Sequence, residues 1–199
     1  MRIALLAMTA VALLGACRQS ADNAAANTAA PKNAQVLPIT DENAAMTAMH
    51  NSPEMQAMMQ SMQAAPMAHD AAMQRMHERH DGMERIGKSF KAAGRTLKSG
   101  SPDLAVVRSS AATIALLASK TPTWFPAGTG PDIGKTGAKP AIWQKPADFV
   151  AKDTAMRQAA AAFDAAAKSG DMAAIGARFG ALGKTCKACH DDYRSEMHH

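Results

Sequence analysis

Residues 146–193, PADFVAKDTAMRQAAAAFDAAAKSGDMAAIGARFGALGKTCKACHDDY, contain two helical stretches that follow each other with almost no chain between them. The first stretch starts near Pro146 and runs to Lys168, and large apolar side chains recur in it about every seven residues: Phe149, Met156 and Phe163. Ser169-Gly170-Asp171 then ends this helix and caps a second one, which runs from Met172 toward the C-terminus. A link this short makes the two helices antiparallel neighbours.

A second helical pair precedes this one. Its helices are predicted at 70–97 and 103–119, separated by the Ser99-Gly100-Ser101-Pro102 breaker. A long connection from Lys120 to Pro146, with five prolines and four glycines, crosses from one pair to the other. The pattern predicts an all-α protein, an antiparallel four-helix bundle. Long irregular loops in compact domains usually serve a function or pack against a ligand, and this alanine-rich, aromatic-poor core lacks bulk. We therefore expect a large apolar group to fill the bundle.

The composition supports helices and excludes several classes of protein. Only 4% of the 199 residues are aromatic while 47% are hydrophobic, which is unsuited to a β-sandwich core. The net charge of +5 forms no basic stripe with interleaved aromatic residues, so we expect no nucleic acid partner. The sequence shows no paired carboxylates, activated nucleophile or phosphate-binding loop, and we expect that the protein is not an enzyme.

The strongest motif is Cys186-Lys187-Ala188-Cys189-His190, the attachment pattern of a c-type haem. On a helix these three side chains share one face, so two thiols can bond the macrocycle while the imidazole of His190 binds the iron. A thioredoxin-like pair would need a βαβ pattern, and a zinc site would need further ligands beyond His198 and His199. A disulfide within the motif would leave the histidine unexplained. We therefore predict one covalent haem c, attached at Cys186 and Cys189.

The N-terminus is typical of an exported lipoprotein. A positive start is followed by an apolar run from Ile3 to Leu14, and Leu14-Gly15-Ala16-Cys17 resembles a lipobox. We predict a lipoprotein signal peptide over 1–16 and lipidation of Cys17, which anchors the mature protein to a membrane in the periplasm. The alternative is an ordinary signal peptide with a coincidental cysteine. With one cysteine for lipid and two for haem, none of the three is left over.

Residues 17–68 are predicted to be a flexible linker and a Met-rich segment. The linker is rich in Ala, Asn and Thr, and Pro53 and Pro66 bound a helical piece that is separate from the helix that follows it. In this piece four methionines share one helical face: Met55, Met58, Met59 and Met62. They favour an amphipathic helix that packs on a partner. The alternative is a copper site formed with nearby histidines.

Residues 69–199 resemble the cytochrome c′ family over about 70–194. The resemblance rests on the run from Phe179 to Arg194, on Lys139-Pro140-Ala141-Ile142-Trp143, and on Trp124-Phe125 with the Gly-Thr-Gly that follows. The resemblance implies a four-helix bundle with haem. It also implies a homodimer, since family members often pair through their first two helices.

The resemblance also implies residues on the opposite side of the haem. The family pattern of an arginine, a distal residue and a small residue appears as Arg79, Met83 and Gly87. If Met83 is the sixth iron ligand, the protein resembles the low-spin branch of the family and carries single electrons to redox partner proteins. The alternative is a five-coordinate haem that binds nitric oxide or carbon monoxide, with Met83 as a core residue. Arg79 and Arg194 are expected to pair with the haem propionates.

Overall fold

The computed structural model describes residues 52–195, and these fold into six α-helices. The helices are α1 Pro53–Gln63, α2 His69–Leu97, α3 Leu104–Ala118, α4 Ala141–Gln144, α5 Pro146–Ser169 and α6 Met172–Tyr193, with a short 3-10 turn at Thr121–Thr123. The predicted signal peptide, Cys17 and most of the predicted linker lie outside the described residues. No helix within 52–195 combines the length and the apolar character needed to span a membrane.

The ends of the long helices follow from their capping residues. Asp103 accepts hydrogen bonds from the first backbone amides of α3, and Asp171 does the same for α6. Gly170 ends α5 in the left-handed conformation at φ +80°, which a residue with a side chain adopts at a cost. These short links fold α2 onto α3 and α5 onto α6, as predicted.

The four long helices form one bundle around a shared apolar core. The backbones of α2 and α3, of α3 and α5, and of α5 and α6 lie close together, whereas those of α2 and α6 approach each other much less closely. The largest fully buried core side chains include Phe163, Ile114, Ile175 and Leu182. The predicted all-α bundle is therefore confirmed, and it is open between α2 and α6.

The Met-rich helix α1 packs on the bundle, although Pro66 separates it along the chain from α2. This helix packs against α5 and the 3-10 turn, and Met55, Met58 and Met62 are buried there. Their thioethers fill a shared apolar core, so the bundle itself is the partner that the amphipathic pattern required. Within 52–195 no cluster of histidine, cysteine and carboxylate side chains is arranged to hold a metal ion, and these three methionines are not exposed for copper.

Candidate haem site

Helix α6 carries the haem-attachment motif near its C-terminal end. Cys186 and Cys189 are half-buried and pack against the apolar core, and the partly buried His190 is more exposed than either of them. Neither thiol is joined in a disulfide. The motif thus presents two unbonded thiols and one imidazole from a single helix, as its spacing predicts.

The electrostatic surroundings of the thiols separate this site from a redox dithiol. Burial raises the pKa of Cys186, and burial together with the nearby carboxylate of Asp153 raises the pKa of Cys189 to about 12. Catalytic and redox cysteines have the opposite property, a lowered pKa that stabilises the thiolate. Both thiols are protonated at neutral pH, which disfavours a thioredoxin-like activity.

His190 is suited to bind a metal ion in its neutral form. Partial burial of its ring lowers the pKa of the imidazole, and the positive charge of Arg194 lowers it further. A histidine must be deprotonated at the ligating nitrogen, so both effects favour the state that binds iron.

The register of α2 against α6 places Met83 opposite His190. The rings of Phe90 and Phe179 stack with centroids 4.3 Å apart. A Cβ built on Gly183 would lie 3.1 Å from the Phe90 ring, and one on Gly94 would lie 3.0 Å from the Phe179 ring, so the helices run antiparallel. Met83 lies seven residues before Phe90 on α2, which is two turns or about 10.5 Å along the helix.

His190 lies seven residues after Gly183 on α6. Because the helices are antiparallel and Phe90 contacts Gly183, the equal displacements bring Met83 and His190 to the same level. Met83 is half-buried and packs against the apolar core that also contacts Cys186 and Cys189. A Cβ added to Gly87, one turn beyond Met83, would meet no atom within 4 Å. The α2–α6 opening therefore has two thiols and an imidazole on one side, and apolar side chains with open space on the other. These residues fit a covalently attached haem.

Arg79 makes its hydrogen bonds with the long loop between α3 and α4. It is buried on α2, and burial lowers the pKa of its guanidinium to about 10, so the group stays charged at neutral pH. The two terminal nitrogens donate four hydrogen bonds of 2.9–3.2 Å to the long loop: to the carbonyls of Trp124 and Thr129 and to the hydroxyls of Thr129 and Thr136. These terminal donors hold the loop, and the contact of Arg79 with a propionate stays a prediction.

Trp124 lies next to the site, and its packing there was not predicted from the sequence. Its ring lies against Gly82, and an added Cβ on this glycine would overlap the ring. A glycine inside a long helix is the signal that points to such a close approach. The loop therefore packs on the helical turn next to Met83.

The end of α6 is held by the loop and by α5. The backbone of Tyr193 accepts a hydrogen bond from Lys139 at 2.9 Å, and Arg194 pairs with Ala138 in an isolated bridge. The Arg194 side chain is exposed, and its contact with a propionate stays a prediction. The loop contacts fix the last turn of α6, which carries His190.

Charged residues of α5 contact the last turn of α6, and these contacts were not predicted from the sequence. The Tyr193 hydroxyl donates to Asp148, and Lys152 pairs with both Asp148 and Asp192. The hydrogen bond from Tyr193 lowers the pKa of Asp148. The spacing of Asp148 and Lys152, four residues apart on a helix, is a signal for their pairing, but their contact with α6 has no signal in the sequence.

The family model described as Cytochrome C′ matches residues 74–194 of this chain, which is more than half of its length. A cytochrome c′ from Rhodospirillum rubrum is 43% identical over 110 residues, which are 54% of this chain and 72% of that protein.

Two solved structures show the same fold. A cytochrome c′ described as having an unusual ligand-controlled dimer dissociation is 25% identical, with a TM-score of 0.59 over 66% of this chain and 100% of that one. A variant of cytochrome c prime from Alcaligenes xylosoxidans, in its ferrous state with bound NO, is 27% identical, with a TM-score of 0.57 over 63% of this chain and 97% of that one.

These relatives overturn the prediction of an electron carrier with iron held by both His190 and Met83. They are cytochromes c′, and one of the solved relatives is a ferrous variant with bound NO. The assignment of this chain to the low-spin branch of the family is therefore not supported. The family model, the curated relative and the bundle agree, and the chain belongs to the cytochrome c′ family, whose members carry a covalently attached c-type haem.

Proposed function

We propose that this protein binds a neutral diatomic gas, nitric oxide or carbon monoxide, at a haem iron that has His190 as its only protein ligand. The observation that carries the proposal is the asymmetry of the α2–α6 opening. One side supplies the two thiols and the imidazole, and the facing turns of α2 supply apolar side chains. Membership of a family with an NO-bound solved member supports the same assignment.

Each residue has a defined task in this proposal. A haem iron bound by one histidine supplies a coordination position for a gas on its other side. Cys186 and Cys189 fix the orientation of the macrocycle, and His190 in its neutral form holds the iron. Met83 and Ile86, which belong to the apolar core, exclude water and ions, because burying an unpaired charge in apolar surroundings is costly.

The histidines of α2 do not compete for the iron. His69, His77 and His80 are all exposed, whereas Met83 and Phe90 on the same helix are half-buried against the core. His80 lies about 60° around the helix from Met83, and His77 about 120°, at 100° per residue. The thioether of Met83 is the rival ligand that the register of α2 places opposite His190, and its packing against the core favours a lining role.

Carbon monoxide titration of the ferrous protein tests the proposal, with Met83→Leu as the informative variant. We expect the absorption spectrum of the wild type to shift with carbon monoxide, and the variant to bind within roughly tenfold of wild-type affinity, since Met and Leu have similar volumes. Met76→Leu, on the same helix and also buried, is the matched control. A wild type that ignores carbon monoxide beside a Met83→Leu variant that binds it would show that the thioether occupies the iron.

We further propose that the protein acts in the periplasm, as its predicted export signal indicates, and that it is not an enzyme. The lipid anchor at Cys17 remains part of this proposal. A homodimer is supported by the relative described with dimer dissociation. Carbon monoxide binds ferrous iron, so a redox partner protein would have to supply one electron to the ferric form.

A further inference from the structure

The Met-rich helix α1 is an addition to the family bundle, because the family model matches only from residue 74. Its buried face consists of Met55, Met58 and Met62, each 2–3% exposed. An ion pair of 3.2 Å between Glu54 and Arg157 of α5 fixes its N-terminal end. The helix is therefore docked by packing and by charge along one side of the bundle.

Residues at the end of α1 and directly after it contact the long loop between α3 and α4. The carbonyl of Ser61 accepts a hydrogen bond of 2.9 Å from the backbone amide of Ala127. Pro66 lies so close to Gly128 that a Cβ built there would be 2.9 Å from the proline ring. Gly128 also has φ +76°, so both its backbone conformation and its space require glycine.

The other side of this loop is held by α2. Arg79 binds the loop carbonyls of Trp124 and Thr129, and the Trp124 ring covers Gly82, the residue before Met83. Residues 124–129 therefore lie between α1 and the helical turn that carries Met83. Any outward movement of this loop would have to break the contact with Ser61 or displace Pro66.

We infer that α1 is a strap that holds loop 124–129 against α2 and thereby limits the access of a diatomic ligand to the haem face beside Met83. The second half of this inference rests on the proposed gas-binding function, whereas the first half does not. Helix α1 and the residues after it are the positioning element, and no atom of it needs to contact the haem.

The test uses the full-length haem protein with Met58→Gln and Met62→Gln combined. Placing two amides in the apolar contact releases the strap, because the buried amide groups lose their hydrogen bonds to water. Hydrogen exchange of the amides in loop 124–129 should accelerate by at least roughly tenfold, the change produced by losing about 1.4 kcal/mol of opening free energy. Flash photolysis of the carbon monoxide complex should give faster rebinding from solution than in the wild type.

Controls separate the strap from general destabilisation. Met172→Gln makes the same replacement at an exposed methionine of α6 and should change neither readout. Glu54→Arg is a milder variant, which places two like charges together at Arg157, and it should change both readouts in the same direction by less. It keeps the test decisive if the double variant does not fold.

Two results would overturn the inference in distinct ways. If exchange accelerates in α1 while loop 124–129 keeps its wild-type protection, the strap does not hold the loop. If the loop exchanges faster but the rebinding rate equals that of the wild type, the strap has no influence on ligand access. A wild type that binds no carbon monoxide would overturn the proposed function, while the exchange measurement would still decide whether α1 restrains the loop.

Discussion

Replacing Cys186 and Cys189 together by serine will remove all haem that stays with the polypeptide after denaturation. Both thiols are unbonded and half-buried on the α6 face that opens toward α2, and a hydroxyl does not form the thioether bond. The measurement is the haem absorption of the denatured, precipitated protein. We also expect a lower melting temperature, because the backbones of α2 and α6 lie far apart and the space between them then loses the macrocycle that fills it.

The single variants and Cys17→Ser complete this experiment. Either cysteine alone still allows one bond to the macrocycle, so each single variant should keep some covalent haem. Cys17→Ser should keep all of it, because this cysteine lies outside the attachment motif. Covalent haem in the double variant would show that another residue attaches the cofactor.

Replacing Arg79 by leucine is expected to lower the free energy of unfolding by about 2–4 kcal/mol. The change leaves the buried loop carbonyls of Trp124 and Thr129 without their donors, and each unsatisfied buried group costs about 1–3 kcal/mol. The desolvation that lowers the pKa of Arg79 to about 10 is relieved at the same time, which keeps the total below the simple sum. Urea unfolding of the haem protein at neutral pH measures the difference.

Arg75→Leu is the matched control for Arg79→Leu. Arg75 lies one turn earlier on α2 and makes a partly exposed ion pair with Glu78, a kind of contact worth about 0–1 kcal/mol. Equal losses in the two variants would mean that the loop is not anchored by the guanidinium of Arg79.

The helices could be predicted from the sequence because their signals are local. Asp103 and Asp171 cap the helices that they precede, and Gly170 ends α5 at the predicted place. The attachment motif could be predicted for the same reason, since its three functional residues occupy five consecutive positions of α6.

The contacts that were not predicted join residues far apart in the chain. Arg79 reaches acceptors 45 to 57 residues away, and nothing in the spacing of α2 distinguishes a loop anchor from a partner of a propionate. The methionine face of α1 showed that a partner was needed, but the pattern does not identify α5 as that partner. The iron ligation of Met83 was inferred from resemblance, and the spacing of Arg79, Met83 and Gly87 is equally compatible with a thioether that only lines the site.

The spin state of the ferrous protein without added gas tests the central claim most directly. Resonance Raman spectra should show a high-spin, five-coordinate iron if His190 is its only protein ligand. A low-spin, six-coordinate spectrum that becomes high-spin in Met83→Leu would contradict the account, since it would place the Met83 sulfur on the iron.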